Sequence, residues 1–163
     1  MSCNYLKTRS TILAPMDGLT DSIYRETVLS IYNHWDYYYT EFLRAPVNSR
    51  FKDRFIIRHF GEPIFNDEKL RNKTVLQILA TPKTSTVPLV EQIGNIGIGK
   101  IDLNLGCPAK KVNSHQGGAW LLDYPELIKE IVKGIRENYQ GFFSVKIRVG
   151  YSDDRNFEKI IEI

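Results

Sequence analysis

Cysteine is almost missing from this sequence: Cys3 and Cys107 are the two thiols among 163 residues. So few cysteines make no disulfide framework, and a reducing cytoplasmic home is the simplest setting for them. Histidine is scarce as well. His34, His59 and His115 show no ligand spacing with each other or with the cysteines, which argues against structural zinc and against any other metal. No apolar run reaches the roughly 18 residues that a membrane span requires. The first residues, MSCNYLKTRS, lack the apolar core of a secretory signal. Low-complexity tracts, linkers and internal repeats are lacking too. What remains has the length of one domain, with 42% apolar and 25% charged residues, the balance of a soluble globular protein. A net charge of +3 permits a polyanionic partner without requiring one.

Alternation is what is there. STILAP reads as a strand closing at Pro15. DSIYRETVLSIY reads as a helix with Ile23, Thr27, Val28 and Ile31 on one face and Asp21 or Thr20 as its cap. WDYYYTEF is aromatic and strand-like. From Arg44 to Lys73 the chain is charged and irregular, a long insertion or a pair of short helices. TVLQIL (Thr74 to Leu79) is the next strand, and TVPLVEQIGNIG a helix with Pro88 in its first turn and Gly97 near its end. KIDLNL is a strand. YPELIKEIVKGIRENY is a helix that starts at Pro125, with Leu127, Ile128, Ile131, Val132 and Ile135 in period. FFSVKIRVG is a strand, and DRNFEKIIEI opens another helix.

This order predicts parallel βαβ units, which fit either a doubly wound sheet or a β/α barrel. The polar residues favour the barrel. Met16 and Asp17, Glu41, Gln77, Asn104 and Cys107, and Lys146 and Arg148 all fall on or just beyond the C-terminal parts of strands, where β/α barrels assemble their sites. MDGLTD after the first strand is no dinucleotide-binding glycine motif. The expected fold class is therefore α/β, of (β/α)8 TIM-barrel type, with about the first five β/α units present.

Cys107 ends a strand between a glycine and a proline. Three readings stay open for it: a nucleophile, a general acid, or a small residue buried in a tight turn. A nucleophile needs an adjacent base, and His115, eight residues on, has nothing in the sequence to hold it there. Lys146 alternates with Val145 and Ile147 and points either into the barrel, toward a counter-charge, or out to solvent. Gln77 and Asn104 pose the same choice more weakly. Gly117 and Gly118 form either a ligand-approach loop or a plain one. Arg44, Arg50, Lys52, Arg54 and Arg58 interleave with Phe51, Phe55 and Phe60, a pattern that suits RNA or an amphipathic segment with a solvated face.

Together, LAPMDGLTDSIYR, YYYTEFLRAP, VLQIL, IDLNLGCPAKKV, GGAWLLDYPELI and VKIRVGY resemble the flavin-dependent tRNA-dihydrouridine synthases, in family order and over most of the chain. DLNLGCPAKKV is the most specific of these stretches. The resemblance implies an FMN-containing barrel that reduces the C5–C6 bond of selected tRNA uridines with electrons from NADPH. It implies that Cys107 protonates C5 of a flipped-out uracil while reduced flavin gives hydride to C6, and that Asn104 hydrogen-bonds the base. It implies flavin contacts from Pro15, Met16 and Asp17 and from Gln77 and Lys146, the last as a cation beside the ring's N1–C2 edge. Lys110, Lys111 and the basic stretch are expected to meet tRNA phosphates. Gln116 and Trp120 stand where the family's loop commonly has smaller residues.

On this reading, residues 1–163 are the N-terminal portion of a catalytic barrel. Later strands, a later histidine motif and a C-terminal helical tRNA-binding domain are not among these residues. A second chain or a further segment would complete the barrel. The alternatives are an inactive remnant with at most weak RNA binding, or a related flavin barrel acting on free pyrimidines, such as a dihydroorotate dehydrogenase.

Overall fold

The computed structural model describes residues 10–32 and 34–163; expectations resting on Cys3 and residues 1–9 lie outside that range. Five strands lie side by side in chain order and pair in parallel: β1 (Ile12–Leu13), β2 (Tyr37–Tyr39), β4 (Thr74–Leu79), β5 (Lys100–Asn104) and β6 (Phe142–Lys146). A further short strand, β3 (Leu43–Arg44), continues the line of β2 along β4. The helices α1 (Ser22–Ile31), α5 (Thr86–Asn95) and, after the short α6 (Lys110–Asn113), α7 (Pro125–Asn138) alternate with the strands. Sequential parallel strands joined by helical crossovers build a half-barrel, as the strand and helix periods lead one to expect.

Strand alternation sorts the residues into two faces. Leu76, Ile78, Ile101 and Leu103 belong to a buried cluster with Leu89, Val90 and Ile93 of α5 and Ile128 and Ile135 of α7. Each such side chain, fully buried, stabilises the fold by roughly 1.5–3 kcal/mol. Alternate residues of the same strands, Val75, Gln77, Leu79, Asp102 and Asn104, are buried on the opposite face, the inside of the half-barrel. The polar residues therefore converge where the hydrophobic period leaves gaps.

Between the Tyr39–Val75 and Leu43–Ile78 pairs, the β2–β3 line holds one residue more than β4. The surplus makes a bulge at Thr40–Glu41–Phe42, closed on either side by Thr40 N–H to Val75 O (3.0 Å) and Ala45 N–H to Leu79 O (2.8 Å). It displaces Glu41 from the ladder toward the turn after β1.

The stretch expected to be irregular or a pair of short helices forms three: α2 (Asp53–Phe60), α3 (Glu62–Asn66) and α4 (Glu68–Lys73). Gly61, at φ +102°, breaks the first from the second, and the Asp67 carboxylate caps the third by accepting from Leu70 N–H at 3.0 Å. The last expected strand is shorter than FFSVKIRVG, because β6 stops at Lys146. Among the described residues no helix is long and apolar enough to cross a membrane.

Helix α1 departs from expectation. Asp21 does cap it, accepting from Tyr24 N–H at 2.8 Å. However, Ile23 and Ile31, on the expected core face, are 71% and 64% exposed, and the fully buried side chain is Arg25. The reason lies in α2. Its last carbonyls, on His59 and Phe60, are left without helical partners by the break at Gly61. The Arg25 guanidinium supplies donors to both, at 3.1 and 2.7 Å, and to Thr20 O at 3.0 Å. Burial lowers the Arg25 pKa to about 10, and it remains charged at neutral pH. Arg25→Met should therefore destabilise the fold by on the order of 3 kcal/mol in urea denaturation, with Arg25→Lys recovering part of the loss. A midpoint unchanged in Arg25→Met would show that the clamp contributes nothing.

Candidate active site

Pro15, Met16 and Asp17, Asn104 and Cys107, and Lys146 lie at or just beyond the C-terminal ends of β1, β5 and β6, on one mouth of the half-barrel. After β1 the chain turns through Pro15, Met16 and Asp17. Thr20 closes the turn: its hydroxyl accepts from Met16 N–H at 2.9 Å, and its own N–H donates to Met16 O at 3.0 Å. Met16 and Asp17 are exposed. The turn is tied to the bulge by Gly18 N–H, which donates to Glu41 Oε2 at 3.1 Å. Glu41 O in turn accepts from His59 Nε2 at 2.9 Å, and burial holds His59 below the usual imidazole range.

Deeper in the half-barrel, Gln77, Asp102 and Ser144 stand opposite one another on β4, β5 and β6. They form a polar layer across three strands. Gln77 Nε2 donates to Asp102 Oδ2 at 2.7 Å, and Ser144 Oγ donates to Asp102 Oδ1 at 2.7 Å. The hydroxyls of Ser144 and Tyr39 are 3.4 Å apart. Asp102 is 1% exposed. Desolvation pushes its carboxyl up to about 6, against the opposing pull of the Gln77 and Ser144 bonds and of the Lys146 charge.

One layer up, Asn104 connects this group to the turn at Cys107. Its Nδ2 donates to Gln77 Oε1 at 2.8 Å. Its Oδ1 accepts from both Gly106 N–H (3.1 Å) and Cys107 N–H (2.9 Å). Leu105 N–H donates to Lys146 O at 2.9 Å, and Ala119 N–H donates to Cys107 O at 3.0 Å. Asn113 Nδ2 donates to Pro108 O at 3.0 Å. Cys107, a free and half-buried thiol, thus sits in a turn clamped from several sides.

The structure brings Gln77, Asn104 and Cys107 together in one hydrogen-bonded chain and sets Lys146 opposite Asn104, exposed at the end of β6. Pro15, Met16 and Asp17 share the same mouth and are tied to the β2–β3 bulge through Gly18 and Glu41. His115 is directed elsewhere: its Nδ1 lies 2.7 Å from Lys111 O.

Gly117 and Gly118 prove to be packing residues. Gly118 has φ +59°, and a Cβ there would lie 2.7 Å from Cys107 O. Gln116, beside them, is left-handed at φ +63°. In the basic stretch, Phe60 is in the core and Phe51 stacks on Phe55 at 4.8 Å, while Arg50, Lys52, Arg54 and Arg58 remain exposed. Among the described residues no group of three or more acidic, histidine or cysteine side chains could hold a metal ion.

Asp102, Ser144 and Tyr39 went unnoticed in the sequence. The signal was present: Asp102 precedes Asn104 by two in KIDLNL, and Ser144 precedes Lys146 by two in FFSVKI, which puts each pair on one strand face.

A family model described as "Dihydrouridine synthase (Dus)" matches residues 12–163. The chain belongs to the dihydrouridine synthase family. Among curated relatives, the tRNA-dihydrouridine(16) synthase of Vibrio vulnificus (strain CMCP6) is 34% identical over 155 residues, covering 93% of this chain and 48% of the relative. Those of Neisseria meningitidis serogroup B (strain MC58) and Yersinia pestis are 37% and 38% identical over 90% of this chain, covering 44% and 48% of their own lengths. The chain spans about half the length of the curated relatives it matches.

Two predictions follow from this geometry. The folded protein holds the Asp102 proton more tightly than the unfolded chain does, so this residue's contribution to stability is greatest at low pH. It declines as pH rises from about 4 to about 6, by about 3 kcal/mol in all. In urea denaturation, Asp102→Asn should gain on the wild type across that window; parallel pH curves would contradict the burial argument. Gly118→Ala should cost at least about 1–3 kcal/mol for the left-handed backbone alone, with the contact at Cys107 O adding to it. A wild-type melting temperature in that variant would contradict the tight packing on Cys107 O.

Proposed function

We propose that this chain carries the uracil-reducing site of a tRNA-dihydrouridine synthase, as the N-terminal portion of the catalytic barrel. The observation that carries the reading is the turn at Cys107, held by Asn104 at the mouth of the half-barrel with the Lys146 strand end opposite. The names of the relatives support tRNA as the substrate.

The donor set fits FMN. Lys146 offers an exposed ammonium, and Gln77 keeps one amide N–H and one carbonyl lone pair beyond the bonds it makes. Pro15, Met16 and Asp17 would line the other side of the mouth. Bound FMN supplies the two-electron reduction of the uracil C5–C6 bond, with NADPH as the electron donor. Lys146 would neutralise negative charge that accumulates at the ring's N1–C2 edge. Asn104 would orient the base. Cys107 would transfer its thiol proton to C5 and be reprotonated from solvent, which needs no partner base. The engagement of His115 with Lys111 O favours this acid role over the nucleophile role.

Reaching a base inside tRNA requires flipping it out of its stack, and a thiol at a strand's end is accessible to such a base. Lys110, Lys111, Arg50, Lys52, Arg54 and Arg58 would meet backbone phosphates. We place the protein in the cytoplasm, with its substrate. The outward edge of β6, where Val145 is 37% exposed, supports completion of the barrel by a further segment or a second chain.

The test is titration of the chain with FMN, followed visibly, and then incubation with NADPH and unmodified tRNA or free uracil. A shifted flavin spectrum and dihydrouridine in tRNA alone are the expected results. Reduction of free uracil in preference to tRNA would replace the reading with a free-pyrimidine enzyme, and salt-sensitive RNA binding with no flavin spectrum would indicate an inactive remnant. Cys107→Ala should keep FMN and lower uridine reduction by roughly 100-fold or more. Lys146→Met should weaken FMN binding or slow flavin reduction. Normal turnover in Cys107→Ala removes the acid assignment.

A further inference from the structure

The side chains of Asp102, Gln77 and Asn104 form a directed series. Two backbone donors, Gly106 N–H and Cys107 N–H, stand at its upper end, and only the carbonyl side of the Asn104 amide can accept from them. That choice turns Asn104 Nδ2 toward Gln77, where only Oε1 can receive it. Gln77 must then present Nε2 at its far side, toward an acceptor. The acceptor found there is Asp102 Oδ2. Were it a donor, both amides would have to reverse, and Asn104 would turn its NH2 group against two backbone N–H groups.

We propose that Asp102 is a positioning residue: as the acceptor at the base of the series it anchors the Gln77 and Asn104 amides in the sense that the two backbone donors require, and so steadies the turn that carries Cys107. Ser144 completes the device. Its hydroxyl can donate to Oδ1 or turn toward the Tyr39 hydroxyl 3.4 Å away and accept instead. A proton taken up by the carboxyl can therefore reside on Oδ1, leaving Oδ2 free to accept from Gln77. The other titratable groups set against Asp102, Lys146 on β6 and Tyr39 on β2, can change its charge without changing that polarity. What the position requires is an acceptor facing Gln77, and the negative charge is secondary.

This requirement separates two substitutions. Asp102→Asn can place its carbonyl toward Gln77 Nε2 and its NH2 toward Ser144, which keeps the sense of the series. Asp102→Leu removes the acceptor, leaves Gln77 Nε2 without its partner and so loosens the hold of the series on Asn104. Amide hydrogen exchange measured by NMR on the whole chain reads the result directly. In the Leu variant, Gly106 and Cys107 should exchange about tenfold faster, the effect of losing one typical hydrogen bond, while Ile101 and Leu103 in β5 hold their rates. In the Asn variant none of the four should exchange faster than in the wild type.

Faster exchange at Gly106 and Cys107 in the Asn variant overturns the proposal by itself, as do wild-type rates at both residues in a folded Leu variant. Should the Leu variant not fold, Gln77→Leu interrupts the same series one step on and must show the same local acceleration. The bearing on catalysis rests on the function proposed above, and in a turnover assay the Leu variant should lose kcat while the Asn variant retains it. Exchange that behaves as expected in a chain with no uridine reduction would defeat the functional reading and leave the positioning role intact.

Discussion

A carboxylate that is 1% exposed must have its hydrogen bonds met from within the protein, and Asp102 imposes that requirement on three strands at once. Gln77 on β4 and Ser144 on β6 reach it because both stand in register with it on β5. A slip of one residue in either pairing would replace them with Leu76 or Ile78, or with Phe143 or Val145, side chains that belong to the other face and carry no donor. The carboxylate therefore discriminates against wrong registers more sharply than interchangeable apolar neighbours could. The helix-facing side stabilises the half-barrel, and its polar inner layer fixes how the strands align.

Alignment at the layer becomes position at the mouth. Asn104 sits two residues above Asp102, and its carbonyl takes both N–H groups of the turn that holds Cys107. From the other side, Gly118 brings the chain so close to Cys107 O that no side chain fits between. The β2–β3 bulge does similar work for the opposite wall by projecting Glu41 to Gly18. Both walls are thus held by side chains whose own positions depend on parallel pairing lower in the sheet.

Much of this was legible in the sequence because it rests on period and punctuation. Alternating apolar residues in TVLQIL and KIDLNL mark strands, and Pro125 with the spacing of Ile128 and Ile135 marks α7. Polar residues near strand ends located the mouth. What was not legible depends on partners distant in the chain. The spacing of Ile23 and Ile31 states a preference for burial but cannot say whether anything packs there, and Arg25 is buried instead because carbonyls at His59 and Phe60 lack donors. Gly117 and Gly118 read as well for ligand approach as for packing, until Cys107 O is found at the spot. Asp102 escaped notice because an acidic residue inside a strand looks solvated until its neighbours in the sheet are known.

The same contrast bears on the half-buried thiol just beyond the end of β5. A cysteine inside β5 would be rigid but unreachable, and one on a free loop would be reachable but unplaced. Cys107 lies one turn beyond the end of the strand, with its N–H held by Asn104 and its carbonyl by Ala119, so the backbone is fixed while the residue stays half-buried. The acid role proposed for Cys107 would depend on such placement, since small misalignments of a donor lose much of its advantage. A site of this kind needs its rigidity from beneath, and here the supply runs downward through Asn104 and Gln77 to one buried carboxylate.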